Sequence, residues 1–192
     1  MASDPLVLAF DTSAAHCAAA LLLDQRVVTR VEEMGRGQAE RLVPMLEELL
    51  QNEGADWSDI QRLGVGTGPG NFTGIRISVS LARGLSLSLG VPAIGVSGLD
   101  ALRAVSTQDM AAIPGPRDTA YVQIGDEAPA ILPRDEVPVG AEWLTDPARL
   151  VTSIAELAAK APADAPAPAP LYLKPADAAP ARDAPPVILD DA

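Results

Sequence analysis

The stretch Leu63-Gly64-Val65-Gly66-Thr67-Gly68-Pro69-Gly70-Asn71-Phe72-Thr73-Gly74-Ile75-Arg76-Ile77 sets five glycines between a short apolar run and a candidate helix. Glycine lets a backbone take positive φ or approach a neighbour closely, so such a turn aims its N–H groups at something. A phosphate is the first candidate. A Walker loop ends in Gly-Lys-Ser/Thr, and no lysine precedes Lys160, which excludes that motif. The dinucleotide fingerprint Gly-x-Gly-x-x-Gly fails too. Started from Gly64, Gly66 or Gly68, it meets Pro69, Asn71 or Thr73 where the third glycine belongs. What remains is a strand, a stiff Gly-Pro-Gly turn, and Asn71 or Thr73 as the oxygen-bearing N-cap of a helix. A tight strand-to-helix connection that binds nothing fits these residues equally well.

Outward from that turn, 192 residues suffice for one domain or two small ones with a sizeable core. Hydrophobic residues make up 48% but aromatics only 3%, so the core must be built from Ala, Val, Leu and Ile. The net charge is -12, from 26 acidic and 14 basic residues. Such a surface repels phosphate backbones and argues against strong nucleic-acid binding by this chain alone. His16 is the only histidine and Cys17 the only cysteine, which rules out an internal disulfide and a zinc tetrad. Adjacent in a strand, they point to opposite faces and read as a strand-edge His and a buried Cys. No leader pattern and no apolar run of about 18 residues is visible, so the expectation is a soluble, cytoplasmic protein without a membrane.

The apolar runs 6–10, 18–23 and 27–31, joined by short turns, predict an antiparallel three-strand meander. From Gln38 to Glu53, Leu42, Met45, Leu46, Leu49 and Leu50 recur at helical spacing and form one apolar stripe. Pro44 bends that helix if it begins at Ala39. Residues 75–89 alternate as a strand would, but the run is about three times a typical strand length. As a helix, Ser78, Ala82 and Ser86 with Ile75 and Val79 make a ridge where another helix can approach. Residues 91–96 read as a strand, and Ser97 with Asp100 as a capping box for a helix to Val105. Beyond, strands are expected at 110–113, 121–124 and 130–132, and a helix from Asp146-Pro147 to Ala159. Residues 161–170 read as an extended linker and 171–175 as a returning strand.

Gly68-Pro69-Gly70-Asn71-Phe72-Thr73-Gly74-Ile75-Arg76 is similar to the Gly-Pro-Gly-Ser-Phe-Thr-Gly-Leu-Arg signature of the TsaB (YeaZ) family. Phe10-Asp11-Thr12-Ser13 and Ala39-Glu40-Arg41-Leu42-Val43-Pro44-Met45 resemble that family's first strand-turn and first helix, in the right order. Together the motifs cover residues 6 to about 100. The chain departs at Gln38-Ala39-Glu40, where the family has His-Ser-Glu and only Glu40 matches. TsaD relatives place two metal-binding histidines at the start of this helix, and this chain has none there. Leu171-Tyr172-Leu173 is similar to the Tyr-Leu-Arg segment near the end of many family members. Asp11 also resembles the aspartate of the first phosphate loop in the actin, sugar-kinase and chaperone ATPases; with no lysine or histidine partner expected for it, a turn cap is the preferred role.

The resemblance implies an α/β, actin-like ATPase (ribonuclease H-like) fold in β-β-β-α-β-α order. It comprises an intact N-terminal lobe, 1–106, a shortened C-terminal lobe, 107–175, and a disordered tail, 176–192. It further implies a non-catalytic scaffold for tRNA N6-threonylcarbamoyladenosine formation, pairing with TsaD and, in the complex, TsaE. A homodimer when alone is also open, and tRNA is met only through the complex. No catalytic, cofactor-binding or metal residue is expected in the isolated chain; ATP or ADP and metal are expected on the partner or at the subunit boundary. The expected contact residues are Arg41, Met45 and Glu48 on the first helix and Arg76, Val79 and Arg83 on the second. An apolar patch with charged edges suits an interface. An active small-molecule kinase of the same superfamily, a metallopeptidase and an unrelated homodimeric module are the competing readings.

Overall fold

The computed structural model describes residues 5–162 and 164–173. Five strands form the first sheet in the order β3-β2-β1-β4-β5. They are β1 (Val7–Asp11), β2 (His16–Leu23), β3 (Arg26–Glu33), β4 (Arg62–Gly66) and β5 (Ala93–Val96). The first three are the expected meander; β1, β4 and β5 run parallel, with Phe10 beside Val65 and Val65 beside Gly95. Parallel central strands covered on both faces read as unbroken apolar runs, which is what Val7 to Phe10 are, all fully buried.

One face of this sheet carries α1 (Gln38–Asn52) and α2 (Phe72–Leu89). The stripe Leu42, Met45, Leu46, Leu49 and Leu50 packs there on Leu8, Phe10, Ala19 and Leu21. Pro44 lies inside α1, and the helix runs through it to Asn52 on the strength of that packing. The alternating stretch after Gly74 is helical, as the family resemblance requires: Asn71 Oδ1 accepts from Gly74 N–H at 2.9 Å, and Gly90 ends the helix at φ 69°. Its small-residue ridge faces the sheet instead of a second helix. Ser78 Oγ donates to the carbonyl oxygens of Ile75 and Gly66, and Ile75, Val79 and Ala82 enter the core beside Val65.

The opposite face is covered by α4 (Pro147–Lys160), capped by Asp146 as expected. Leu150, Val151, Ile154, Ala155 and Ala158 pack on Val7, Ala9, Ala18 and Ala20. Gly64 allows the close approach: a Cβ there would lie 3.1 Å from Ala158 Cβ and 3.2 Å from Ile154 Cγ2. This corrects the expected boundary at 106/107, because α4 belongs physically to the first lobe. Its apolar stripe needs an apolar sheet face, and the far side of β1 and β2 supplies one.

The second sheet has the order β8-β7-β6-β9, from β6 (Met110–Pro114), β7 (Thr119–Ile124), β8 (Ala130–Pro133) and β9 (Glu142–Trp143). The short helix α3 (Gly98–Arg103) packs Leu99 and Leu102 on Ala111, Ile113 and Tyr121. Ser97 caps α3 by accepting from Leu99 and Asp100 N–H. Asp100 pairs with Arg103 and does not return the bond, so the expected capping box is half formed. The expected strand at 171–175 is absent from its described part: Leu171 N–H donates to Thr67 O at 2.8 Å, and residues 171–173 carry no strand. Lys174, Pro175 and the expected tail, 176–192, lie outside the described residues. Among the described residues no helix is long and apolar enough to cross a membrane.

Candidate functional site: the junction of two loops

Because β1 and β4 run parallel and adjacent, the loops that leave their carboxyl ends, residues 11–15 and 67–71, meet. The glycines are the reason they can. A Cβ at Gly66 would strike the Asp11 carboxylate, one at Gly70 the Ser13 carbonyl, and one at Gly74 the Thr12 carbonyl. Gly68 alone of these takes positive φ, 94°, and precedes a cis peptide to Pro69. The loops are also bonded directly: Thr12 Oγ1 donates to Gly74 O at 2.6 Å, and Asn71 N–H to Ser13 O at 2.6 Å. Gly68 O accepts from Gly98 N–H at the start of α3. Thr67 N–H, Asn71 N–H and the carbonyls of Thr67 and Gly68 are thus engaged by the chain itself.

Asp11 does have a histidine partner, contrary to expectation. Its Oδ1 accepts from Ser13 N–H at 3.0 Å, from Ser13 Oγ at 2.9 Å, and from His16 Nε2 at 2.9 Å. The β1–β2 ladder ends with Asp11 opposite Ala18, so the turn folds His16 back over the aspartate, and His16, at the edge of β2 as expected, is buried. Gln38 fixes the same turn from α1. Its Nε2 lies 2.7 Å from both Ala14 O and His16 O and 3.3 Å from Thr12 O. Where the family pattern has a histidine, this chain uses an amide to hold the Asp11 loop. Cys17 points the other way into the core, as expected, and burial pushes its thiol up to about 11, with the nearby Glu32 carboxylate adding to the effect.

A cleft of about 330 Å³ opens beside this junction, between Ser13, Gln38 and Asn71 on the first lobe and Ile113, Pro116 and Tyr121 on the second. Its lining carries no charged side chain. Its polar groups are neutral, Thr67 and Asn71 N–H are bonded to the Val96 and Ser13 carbonyls, and Asp11 is bonded to His16 and Ser13, so the described side chains bring no cation to a triphosphate here. No step is assigned to a nucleotide here.

The expected contact residues divide. Met45 and Val79 are interior, at 0% and 3% exposure, because both fall on the sheet-facing stripes of their helices. They are not available to a partner, which corrects that reading. Arg76 and Arg83 are exposed on α2, as are Glu40 and Pro44 on α1 and Thr73 on α2. Arg41 spans Glu32 and Glu48, at 2.6 and 2.8 Å, and Arg30 joins the same cluster through Glu48 at 2.6 Å. Glu32 is held down at about 2 by its hydrogen bond to Arg41, with Arg30 also contributing. Sequence reasoning missed three features: Gln38, the His16–Asp11 pair, and a contact of Tyr172 with Phe72 and Arg76. Gln38 had a signal as the residue that departs from the family pattern, and the His16–Asp11 pair had one in its place across a tight turn.

A 3-2-1-4-5 sheet with helices on both faces, and a second sheet across a cleft at the carboxyl ends of β1 and β4, defines an actin-like, ribonuclease H-like α/β protein. The solved structure of YeaZ from Pseudomonas aeruginosa matches 72% of this chain and 74% of its own, at 32% identity and a TM-score of 0.61. The chain belongs to the TsaB (YeaZ) family. The tRNA threonylcarbamoyladenosine biosynthesis protein TsaB of Escherichia coli is 41% identical over 93 residues, 48% of this chain and 40% of its own length. That of Haemophilus influenzae is 37% identical over 97 residues, 50% of this chain and 41% of its own. Residues 29–123 match the family model described as TsaD, tRNA N6-adenosine threonylcarbamoyltransferase. The chain spans less than half the length of these curated relatives.

Proposed function

We propose that this chain is a non-catalytic scaffold subunit in the formation of N6-threonylcarbamoyladenosine at position 37 of tRNA. It works in the cytoplasm by docking on a TsaD subunit, with TsaE joining the complex. The observation that carries this reading is the engagement of the glycine turn by the Asp11–Ser13 loop. Two of the turn's amides, Thr67 and Asn71 N–H, and its glycine contacts go into holding the lobe together. ATP or ADP and metal then belong to the partner or to the shared boundary. The naming of the relatives supports the pathway.

The docking face consists of the outward sides of α1 and α2, with Glu40, Arg41, Pro44 and Glu48 on one helix and Thr73, Arg76 and Arg83 on the other. Arg76→Glu with Arg83→Glu reverses charge on exposed positions only. The double variant is expected to retain its circular dichroism spectrum and lose co-purification with TsaD. The decisive experiment is depletion of the chain in its own cell, followed by nucleoside mass spectrometry of bulk tRNA. Loss of threonylcarbamoyladenosine, restored by the wild-type gene, is expected; an unchanged level would sink the proposal. The charge predicts that tRNA binds only through the complex, so the isolated chain should shift no tRNA in a gel at moderate salt.

A further inference from the structure

Residues 164–173 leave α4 without forming helix or strand and cross the outer end of the first sheet. Three points fix their path. Pro168 is buried against β5, where a Cβ on Gly95 would lie 3.1 Å from its Cβ. Leu171 N–H donates to Thr67 O at 2.8 Å. Tyr172 then reaches the N-terminal end of α2. Its ring stacks on Phe72 with centroids 4.9 Å apart and planes 28° from parallel, and its hydroxyl accepts from Arg76 Nε at 2.9 Å. The Arg76 guanidinium lies 4.1 Å above the Phe72 ring.

This cluster has no role in the core. Phe72 is 40% exposed and Tyr172 41%, and Asn71 already caps the helix. Phe72 and Arg76 lie on the α2 face to which a partner is assigned above, and the chain covers them with its own tyrosine. Further along α2 the same segment stands away from the helix, leaving a groove of about 310 Å³ between Arg83 and Leu87 on one side and Ala165 and Pro168 on the other. Turning the Tyr172 side chain aside therefore breaks the stack on Phe72, the hydrogen bond from Arg76 and the 6.0 Å approach of the Arg76 guanidinium to the tyrosine ring, and leaves the Arg76–Phe72 contact within α2 intact.

We propose that Tyr172 is a displaceable self-ligand: its side chain clips over the N-terminal end of α2, and a TsaD subunit docking on α2 must turn it aside while Pro168, Leu171 and Leu173 stay anchored. The proposal rests on the docking reading given above and adds a gate to it. Exposed aromatic and cation–π contacts are weak, so the closed form outweighs the open one by roughly tenfold. A docking-competent state that is only a minor fraction lowers apparent affinity by that fraction. Removing the clip should tighten docking by about the same factor.

The test uses the full chain with Tyr172→Ala, and Tyr172→Phe to keep the ring while removing the hydroxyl. In the lone protein, phenylglyoxal modification of Arg76 is followed by peptide mass spectrometry with exposed Arg117 as internal reference. The Arg76 to Arg117 ratio should rise severalfold in Tyr172→Ala and less in Tyr172→Phe; an unchanged ratio overturns the clip. Calorimetric titration with purified TsaD should show roughly tenfold tighter binding by Tyr172→Ala than by wild type. Equal or weaker binding overturns the gate and leaves the docking reading standing. If neither protein binds, the docking reading falls and the gate with it.

Discussion

The two sheets of this chain are held by different means. The first is covered on both faces by helices, α1 and α2 on one side and α4 on the other. The second has α3 on one face, while on the other, among the described residues, the side chains of Ile124, Leu132, Val137, Ala141 and Trp143 pack around Ala112, Ala120 and Val122. Of the largest fully buried side chains, every one except Leu99 lies on the first sheet or a helix packed on it. Apolar area removed from water is the main favourable term in folding. Stability therefore resides in the first lobe, and α4 ties the later part of the chain to it.

The largest test of that contrast compares Ile154→Ala in α4 with Val122→Ala in β7. Ile154 is fully buried against the first sheet, and its truncation should cost about 2–5 kcal/mol. Val122 is 2% exposed in a thinner layer, and its truncation should cost about 1–2 kcal/mol. Urea unfolding gives both numbers, and Cys17 gives the location. Its thiol is buried in the first lobe and pushed up to about 11, so at pH 8 a maleimide reaches it only when that lobe opens. Ile154→Ala should speed labelling far more than Val122→Ala. The reverse order would show that the second sheet governs opening.

Next in size is Gly74→Ala. A Cβ there meets the Thr12 carbonyl, so the two loops must part and the Thr12 hydroxyl loses its bond to Gly74 O. The expected cost is about 1–3 kcal/mol. At Gly84, on the same helix, nothing lies within 4 Å of an added Cβ, and Ala should be neutral or slightly stabilising. Melting temperatures of the pair separate a packing effect from a helix-propensity effect. Equal shifts would remove the claim that Gly74 serves loop contact.

His16→Ala comes third, at about 1–3 kcal/mol, because the buried Asp11 carboxyl loses one of the donors to its Oδ1. His16→Gln keeps a donor of similar reach and should recover part of the loss. Denaturation midpoints of the two variants measure this directly. If both match wild type, the turn does not depend on the pair.

These three sites show what was readable beforehand. The meander, α1 and the capped start of α4 follow from local patterns, periods of two and 3.6 and an oxygen before a helix, which need no tertiary information. The family resemblance settled residues 75–89, where the alternation of Ile75, Ile77 and Val79 gives the wrong period by itself. The site was less legible because its contacts join distant positions. Nothing local says that Gln38 reaches Ala14, or that Tyr172 crosses 96 residues to Arg76. Met45 and Val79 were misplaced for a related reason: their helices contact both the sheet and solvent, and a stripe does not announce which neighbour it faces. The His16–Asp11 pair is the exception. Two polar residues flanking a tight turn at a ladder's end are neighbours by topology, and the hairpin could have been read that far.

The smallest test compares the charge clusters of the two lobes. Arg41 is chelated by Glu32 and Glu48 at the edge of the first sheet; Arg103 faces Asp109, Asp100 and Asp126 in the second lobe. Glu32 is only 27% exposed, so its charge interaction with Arg41 is partly shielded from water, whereas the Arg103 partners are all more than half exposed. Glu32 sits near 2 against a usual 4.5, a depressed carboxylate. Its stabilising effect is therefore complete above pH 4.5 and is lost as pH falls through 2. Arg41→Gln should cost about 0.5–1 kcal/mol through the Glu32 pair at pH 7, with the difference from wild type narrowing in acid and in high salt. Arg103→Gln should leave stability unchanged within error at either pH. A larger effect from Arg103 would mean that solvent-facing pairs support the second sheet, which would narrow the contrast between the lobes to their cores alone.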